Sequence, residues 1–313
     1  MQAYVVKRLA TMVLVVLGIS FAVFLVAHLI PGDPARILLG IHADRQQIDE
    51  IRRQLGLDRP LLVQYGYWIS RALHGDLGRS VLTGEQVTSA LAARLPVTCS
   101  LALGALLIAL VIALPAGIVA AIRPNSWYGA LITVASQIGV AIPDFWLGIM
   151  LILACSLTLG WLPSFGYVSI RESVGEWVRH LILPAMSIGW ISGSIVTRFV
   201  RSAVLEVLGE DYVCVARAKG LRERVVILRH TVRNALITIV TVVGLQLASL
   251  LSGVVVIEVV FALPGLGRLA YDAVTRRDYP MLQGAVLTVA LAFAVINLLV
   301  DLLYVYIDPR VKY

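Results

Sequence analysis

The side chains able to do chemistry are few and far apart. Five histidines, His28, His42, His74, His180 and His230, form no i, i+4 pair and sit beside no carboxylate cluster, so their spacing offers no metal-ligand set. Cys99, Cys155 and Cys214 are odd in number and form no CxxC pair, which argues against a zinc site and a disulfide framework. There is no GxxxxGKS/T loop to cradle nucleotide phosphates, no HExxH helix and no GxSxG elbow. The serines near the fourth apolar run lack an in-register histidine, against an intramembrane protease. What remains is a set of polar groups inside long apolar runs. A charge at mid-bilayer costs on the order of 2.5–3.5 kcal/mol, so each needs a partner or a wet path. Asp144 follows Pro143, and proline removes a backbone hydrogen bond and bends a helix. Pro143, Asp144 and Trp146 therefore read either as a structural kink or as part of a gate. Gln246, Ser249 and Ser252 recur at near-helical spacing, as a wet lining or as a packing seam running from Ser249 to Gly253. Glu258, Asn297 and Asp301 read as structural polar groups that lock helices together through N–H or arginine partners.

The elements that carry these groups follow from composition. Of 313 residues, 59% are hydrophobic and 14% charged, with a mean hydropathy of +0.88. Soluble domains run at about 45–50% and about 25%. The chain is thus an integral membrane protein. Runs of roughly 20 apolar residues, enough for about 30 Å of hydrocarbon, predict six spans. They cover Leu9 to Ile30, Leu95 to Ile122, Trp127 to Leu159, Leu181 to Thr197, Ala235 to Leu263 and Met281 to Val300, the last continuing to Ile307. The first span is too long for a signal-peptide core and lacks an A-x-A site, so it reads as a retained anchor.

Charge gives the orientation once loop length is considered. With the N-terminus inside, thirteen of the 26 Lys and Arg fall on each side, but eight of the outer ones lie in one long loop, residues 31–94. Long loops translocate largely regardless of charge, and the short segments then favour cytosolic N- and C-termini. The net charge of +7 belongs to loops at a lipid bilayer and is not a nucleic-acid signal. The long loop opens on the turn Pro31-Gly32-Asp33-Pro34. It continues with helical patterns at Ile48, Ile51, Arg52, Leu55 and at Leu62, Tyr65, Trp68, Ile69, Leu73, expected to lie at the outer membrane surface with aromatics at headgroup depth. Three regions result: an N-terminal helix and loop (1–94), a core of helices two to six (95–307) containing a cytosolic loop (198–233), and a tail (308–313).

The cytosolic loop has eight basic and four acidic residues. From Glu210 it reads as a helix through Asp211, Tyr212, Ala216, Arg217, Ala218 and Lys219, broken at Gly220 and resumed after Leu221. Small residues at 216 and 218 predict a surface that another protein can approach closely. By charge pattern alone, a solvated loop fits as well.

This stretch resembles the EAA loop of binding-protein-dependent ABC importer permeases, in particular the dipeptide/oligopeptide/nickel family. The likeness rests on Asp211-Tyr212-Val213, Ala216 to Leu221, His230 and Arg233-Asn234-Ala235-Leu236. It extends to Glu258, Phe261, Pro264-Gly265-Leu266-Gly267-Arg268, Arg277-Asp278-Tyr279-Pro280, Asn297 to Tyr304 and Asp308-Pro309-Arg310. Upstream it includes Gly32-Asp33-Pro34, Leu55-Gly56-Leu57-Asp58, Gln64-Tyr65 and Gly75-Asp76-Leu77-Gly78-Arg79-Ser80. Cys214 stands where the family has a glutamate, Thr238 where a proline is usual, and Leu263 where a tryptophan is common.

The resemblance implies an all-α, polytopic protein with six transmembrane helices and the type I ABC importer permease fold, in a prokaryotic inner or plasma membrane. It implies half of a permease pair with a second homologous subunit, two ATPase subunits below and an extracytosolic substrate-binding protein above. The helix around Ala216–Gly220 would insert into the ATPase and pass on its motion. No cofactor is expected in this chain, ATP and Mg being bound by the partner ATPases, and no enzymatic activity of its own. The implied cargo is a di- or oligopeptide, with nickel or glutathione-like compounds behind. The rival from another class is a self-contained secondary transporter or channel, which predicts paired broken helices; one strong proline break is present and no matching partner is seen in the second half.

Overall fold

The computed structural model describes residues 2–29, 44, 46, 50 and 58–307. The turn at Pro31, the helical pattern from Ile48 to Leu55, His42 and the tail 308–313 lie outside the described residues, as does the Ser252 side chain. The described elements are α1 (Gln2–Leu29), α2 (Leu61–Leu73), α3 (Val87–Ile122), α4 (Trp127–Ala141), α5 (Asp144–Leu151, continued by a π-helical stretch Ile152–Thr158), α6 (Val174–Leu208) and α7 (Asp211–Ala218). A helical turn Glu223–Val225 and a π-helical stretch Val226–Val232 then lead into α8 (Arg233–Gly253), followed by α9 (Val255–Val260), α10 (Leu266–Arg276) and α11 (Tyr279–Ile307).

Five helical stretches are long and apolar enough to span a membrane, and a sixth span exists if α4 and α5 are counted together. Those two are bent by 99°. The proline at 143 is the cause: Ile142, forced extended by the following ring, has ψ 126, and Pro143 itself has ψ 139. The kinked third span read from the sequence is therefore two helices nearly at right angles. α4 alone, 15 residues, is about 22 Å long, short of the hydrocarbon thickness. A buried Gly148 seats α5 against the core; a Cβ there would lie 3.0 Å from the Phe261 ring.

Two helices are much longer than their uncharged runs. α3 has 36 residues and α6 has 35, where hydropathy marked only 95–122 and 181–197. Hydropathy stops at the first charge, whereas a helix continues past the hydrocarbon for as long as its backbone is paired and one face is packed. These two form the central pair. Val97, Leu101, Ala105, Ala109, Ala113, Gly117 and Ala121 of α3 recur every fourth residue and are all buried. They meet Gly189, Gly193 and Val200 of α6 so closely that a Cβ on Gly189 would lie 2.8 Å from the Ala105 carbonyl oxygen. In a bilayer, where hydrophobic burial does not drive helices together, such close backbone approach does. The expected seam at Ser249–Gly253 is not where α8 is tight. Gly253 has open space about it, whereas a Cβ on Gly244 would lie 3.1 Å from Val300 Cβ of α11.

α11 packs on both α8 and α1. Arg8, near the start of α1, pairs with Asp301, near the end of α11, at 3.1 Å. The start of the first helix and the end of the last are thus at the same side of the bundle.

Candidate functional site

The loop that joins α6 to α8 is built as a folded unit. Asp211 places an acid in the first turn of α7, where it favours the helix N-terminus. Val213 and Ala216 are buried against Val226, Val207 and Leu208. Ala216 is therefore small because its own chain covers it, and it does not lie on the surface expected of it. Tyr212, Cys214, Val215, Arg217, Ala218, Lys219, Gly220 and Leu221 are exposed.

Three contacts hold the loop's shape. Gly220 ends α7 with φ 75, and its N–H donates to the Arg217 carbonyl at 2.9 Å. No atom lies within 4 Å of a Cβ built there, so the backbone twist alone selects glycine. Arg217 spans the turn to Glu223 with two bonds, Nε to Oε2 at 3.2 Å and Nη2 to Oε1 at 2.8 Å. This pairing holds the Glu223 carboxyl below its ordinary range and raises the guanidinium above its own. Asn234, in the first turn of α8, donates to the Tyr212 hydroxyl at 2.8 Å and to the His230 carbonyl at 2.8 Å. Tyr212, Arg217, Gly220 and Asn234 thus fix the geometry, leaving Val215, Ala218, Lys219 and Leu221 on the outside.

The intramembrane polar residues divide into separate groups. Gln246 donates to Ser192 of α6 at 3.0 Å. Gly139 of α4 lies against Trp190 and Ser194 of α6. Residues 190 and 194 are each about 200° around the helix from 192. The Pro143 break and the Gln246 stripe therefore flank α6 from opposite sides within one chain. Asp144 accepts the Phe145 N–H at 2.7 Å and opens α5, while Trp146 and Ser249 are exposed.

On the side of the bundle away from α7, two buried carboxylates organise the loops. Glu258 has no exposed surface; it accepts the Thr98 hydroxyl at 2.6 Å and the Arg268 N–H at 2.9 Å, and Thr98 accepts the Leu266 N–H at 2.8 Å. It caps α10 from another helix, in place of a side chain on Gly265. Asp278 precedes α11, accepts the Met281 N–H at 3.4 Å and the Val81 N–H at 3.3 Å, and takes a hydrogen bond from Ser80. The Gly75–Ser80 and Arg277–Pro280 motifs are thus one site, a pairing across almost 200 positions that spacing alone does not reveal. α2 has no buried residue and rests on α1. Tyr65 packs on Phe21 and Phe24 of α1, with ring centroids 5.2 and 5.5 Å away, and its hydroxyl bonds Ser20 at 2.7 Å. Asn297 is half-buried in α11.

Comparison with known proteins decides the family. The family model described as "Binding-protein-dependent transport system inner membrane component" matches residues 113–313, and its N-terminal counterpart matches residues 1–102. The chain belongs to this family. It is 44% identical to a putative peptide transport system permease protein of Brucella abortus (strain 2308) over 313 residues, all of both chains. It is 42% identical to the glutathione transport system permease protein GsiC of Escherichia coli (strain K12), and 40% identical to the dipeptide transport system permease protein DppB of Alkalihalophilus pseudofirmus, with both chains fully covered in each case. An inward-facing structure of the MetNI methionine ABC transporter matches with a TM-score of 0.59 at 18% identity, over 70% of this chain and 96% of that one. The fold of this transport permease is thus that of ABC importer membrane subunits, and the protein is a multi-pass membrane component of a transport system.

Proposed function

We propose that the chain forms half of the translocation pathway of an ATP-driven importer of di- or oligopeptides, and that α7 is the element through which ATPase subunits drive it. The observation that carries the coupling role is the construction of α7. A short helix is held at both ends by Arg217–Glu223 and Tyr212–Asn234, follows α6 directly and leads to α8 through the helical stretch 223–232, and with the turn after it exposes a mixed surface at Val215, Ala218, Lys219 and Leu221. A rigid protrusion on two membrane helices can pass a rigid-body rotation into the bundle. The peptide cargo is supported by the names of full-length relatives at 40% and 44% identity.

In this reading a second homologous permease subunit completes the pathway, and two ATPases, which bind ATP and Mg, dock on the side carrying α7 and both termini. A binding protein delivers cargo at the side carrying α10 and the Gly75–Ser80 platform. That orientation puts the termini in the cytosol and the chain in the inner membrane. The chain itself carries no catalytic group for hydrolysis. Gln246, Ser249, Ser252, Pro143, Asp144 and Trp146 are its candidates for lining or gating the path. Reconstitution tests the whole: uptake of labelled dipeptides should need ATP, the ATPases and the binding protein, and the chain alone should transport none. Uptake by the lone chain, driven by an ion gradient, would establish a secondary transporter instead.

A further inference from the structure

The flank where α4 meets the last third of α6 contains a cavity of about 510 Å3. Its polar lining is Thr133, Ser136 and Gln137 from α4 and Thr197, Arg198, Arg201 and Ser202 from α6. Thr133, Ser136 and Thr197 donate their hydroxyl protons to carbonyls of their own helices, those of Gly129 at 2.9 Å, Thr133 at 2.8 Å and Gly193 at 2.7 Å. The donors left for a ligand are the two guanidinium groups, the Gln137 amide and the Ser202 hydroxyl. Arg201 Nε is buried and has no hydrogen-bond partner among the described residues. None of the ion pairs among those residues includes Arg198 or Arg201, and no described carboxylate lines the cavity. Two cations around one recess, one with a buried unpaired N–H, call for an anion with several acceptor oxygens.

The surroundings narrow the anion's source. Arg201 and Arg198 lie about 10 and 15 Å along α6 from its end at Leu208, so they are near the membrane edge on the α7 side. Phe199 and Ile132 also line the recess, and Leu131, Val134 and Ile138 expose an apolar face of α4 beside it. A phosphate group bearing acyl chains satisfies both the basic pocket and the apolar wall. We propose that this recess binds the phosphodiester headgroup of an anionic phospholipid. The proposal does not depend on the cargo.

The test uses the assembled transporter in nanodiscs of phosphatidylcholine and phosphatidylglycerol in equal parts, with native mass spectrometry reading the lipid retained. The parent should retain phosphatidylglycerol, and Arg198→Gln combined with Arg201→Gln should weaken retention roughly thirtyfold. Arg201→Lys should keep most of it. If the double variant does not assemble, Arg198→Gln alone, at an exposed position, should still cost roughly fivefold. Equal retention in the parent and in the assembled arginine variant would overturn the site. A second arm titrates inorganic phosphate in phosphatidylcholine discs. Arginine-dependent thermal stabilisation by phosphate, without retention of phosphatidylglycerol in the first arm, would assign a soluble oxyanion and overturn the lipid assignment.

Discussion

Glu258 shows what a buried carboxylate does in this fold at the scale of one residue. It joins α3 to the N-terminus of α10 by accepting from Thr98 and from the Arg268 N–H. Removing it strands donors that have no water to turn to, at about 1–3 kcal/mol for each buried group left unsatisfied. Glu258→Ala should therefore lower the thermal stability of the solubilised protein clearly more than Glu258→Gln, which keeps an acceptor oxygen. Ser80→Ala should destabilise as well, by about 1 kcal/mol, and Asp278→Ala by more, because Asp278 also holds two backbone N–H groups. Equal losses for Glu258→Ala and Glu258→Gln would mean the hydrogen bonds are not what stabilises this end. At the α7 turn the pairing with Arg217 depresses the Glu223 carboxyl. A depressed folded-state value means that the staple's contribution is present above the ordinary carboxylate range and is lost as pH falls through the lowered one. Hydrogen-exchange protection of the Lys219–Arg222 turn should accordingly be flat with pH around neutrality, after correction for intrinsic exchange, and fall only in acid.

At the scale of elements, the seam between α3 and α6 is the most extensive helix contact, and glycines in and outside it are unequal. Gly189→Val should cost about 1–3 kcal/mol through overpacking against the Ala105 carbonyl, whereas Gly253→Ala, in open space, should be neutral or slightly stabilising in a thermal-shift measurement. The difference explains what could be read from the sequence. The apolar runs located the spans, because the bilayer demands about 20 apolar residues in a row. They did not give the length of α6, whose ends carry Glu176, Arg179, Arg198 and Arg201, since only packing against α3 shows that the helix continues through them. Pro143 announced a break but not a 99° bend, which depends on where α5 finds its seat against Phe261. The Gly220 turn was legible because φ > 0 requires a particular residue. Ala216 was misplaced on the surface because a small residue serves a close internal contact as well as an external one. The Ser80–Asp278 and Thr98–Glu258 pairs were invisible, since each joins side chains more than 150 positions apart.

For the whole molecule, the topology puts two kinds of construction at opposite sides of the bundle. One side carries the platform around Ser80, α10 and the two capping carboxylates. The other carries α7, the Arg198–Arg201 recess and the ends of α1 and α11 joined by Arg8–Asp301. Helices α6 and α8 run between these sides and are linked midway by Gln246–Ser192. Movement imposed at α7 has a continuous packed route to the far side along α6 and its seam with α3. The measurement that bears most directly on this account is substrate-stimulated ATP hydrolysis by the reconstituted transporter carrying Gly220→Pro. Proline cannot adopt φ 75 and removes the N–H bonded to Arg217, so the turn is disrupted while the spans are untouched. We expect the complex to insert and to retain basal hydrolysis, with stimulation by loaded binding protein reduced to the basal rate. Full stimulation in this variant would contradict the assignment of α7 as the coupling element.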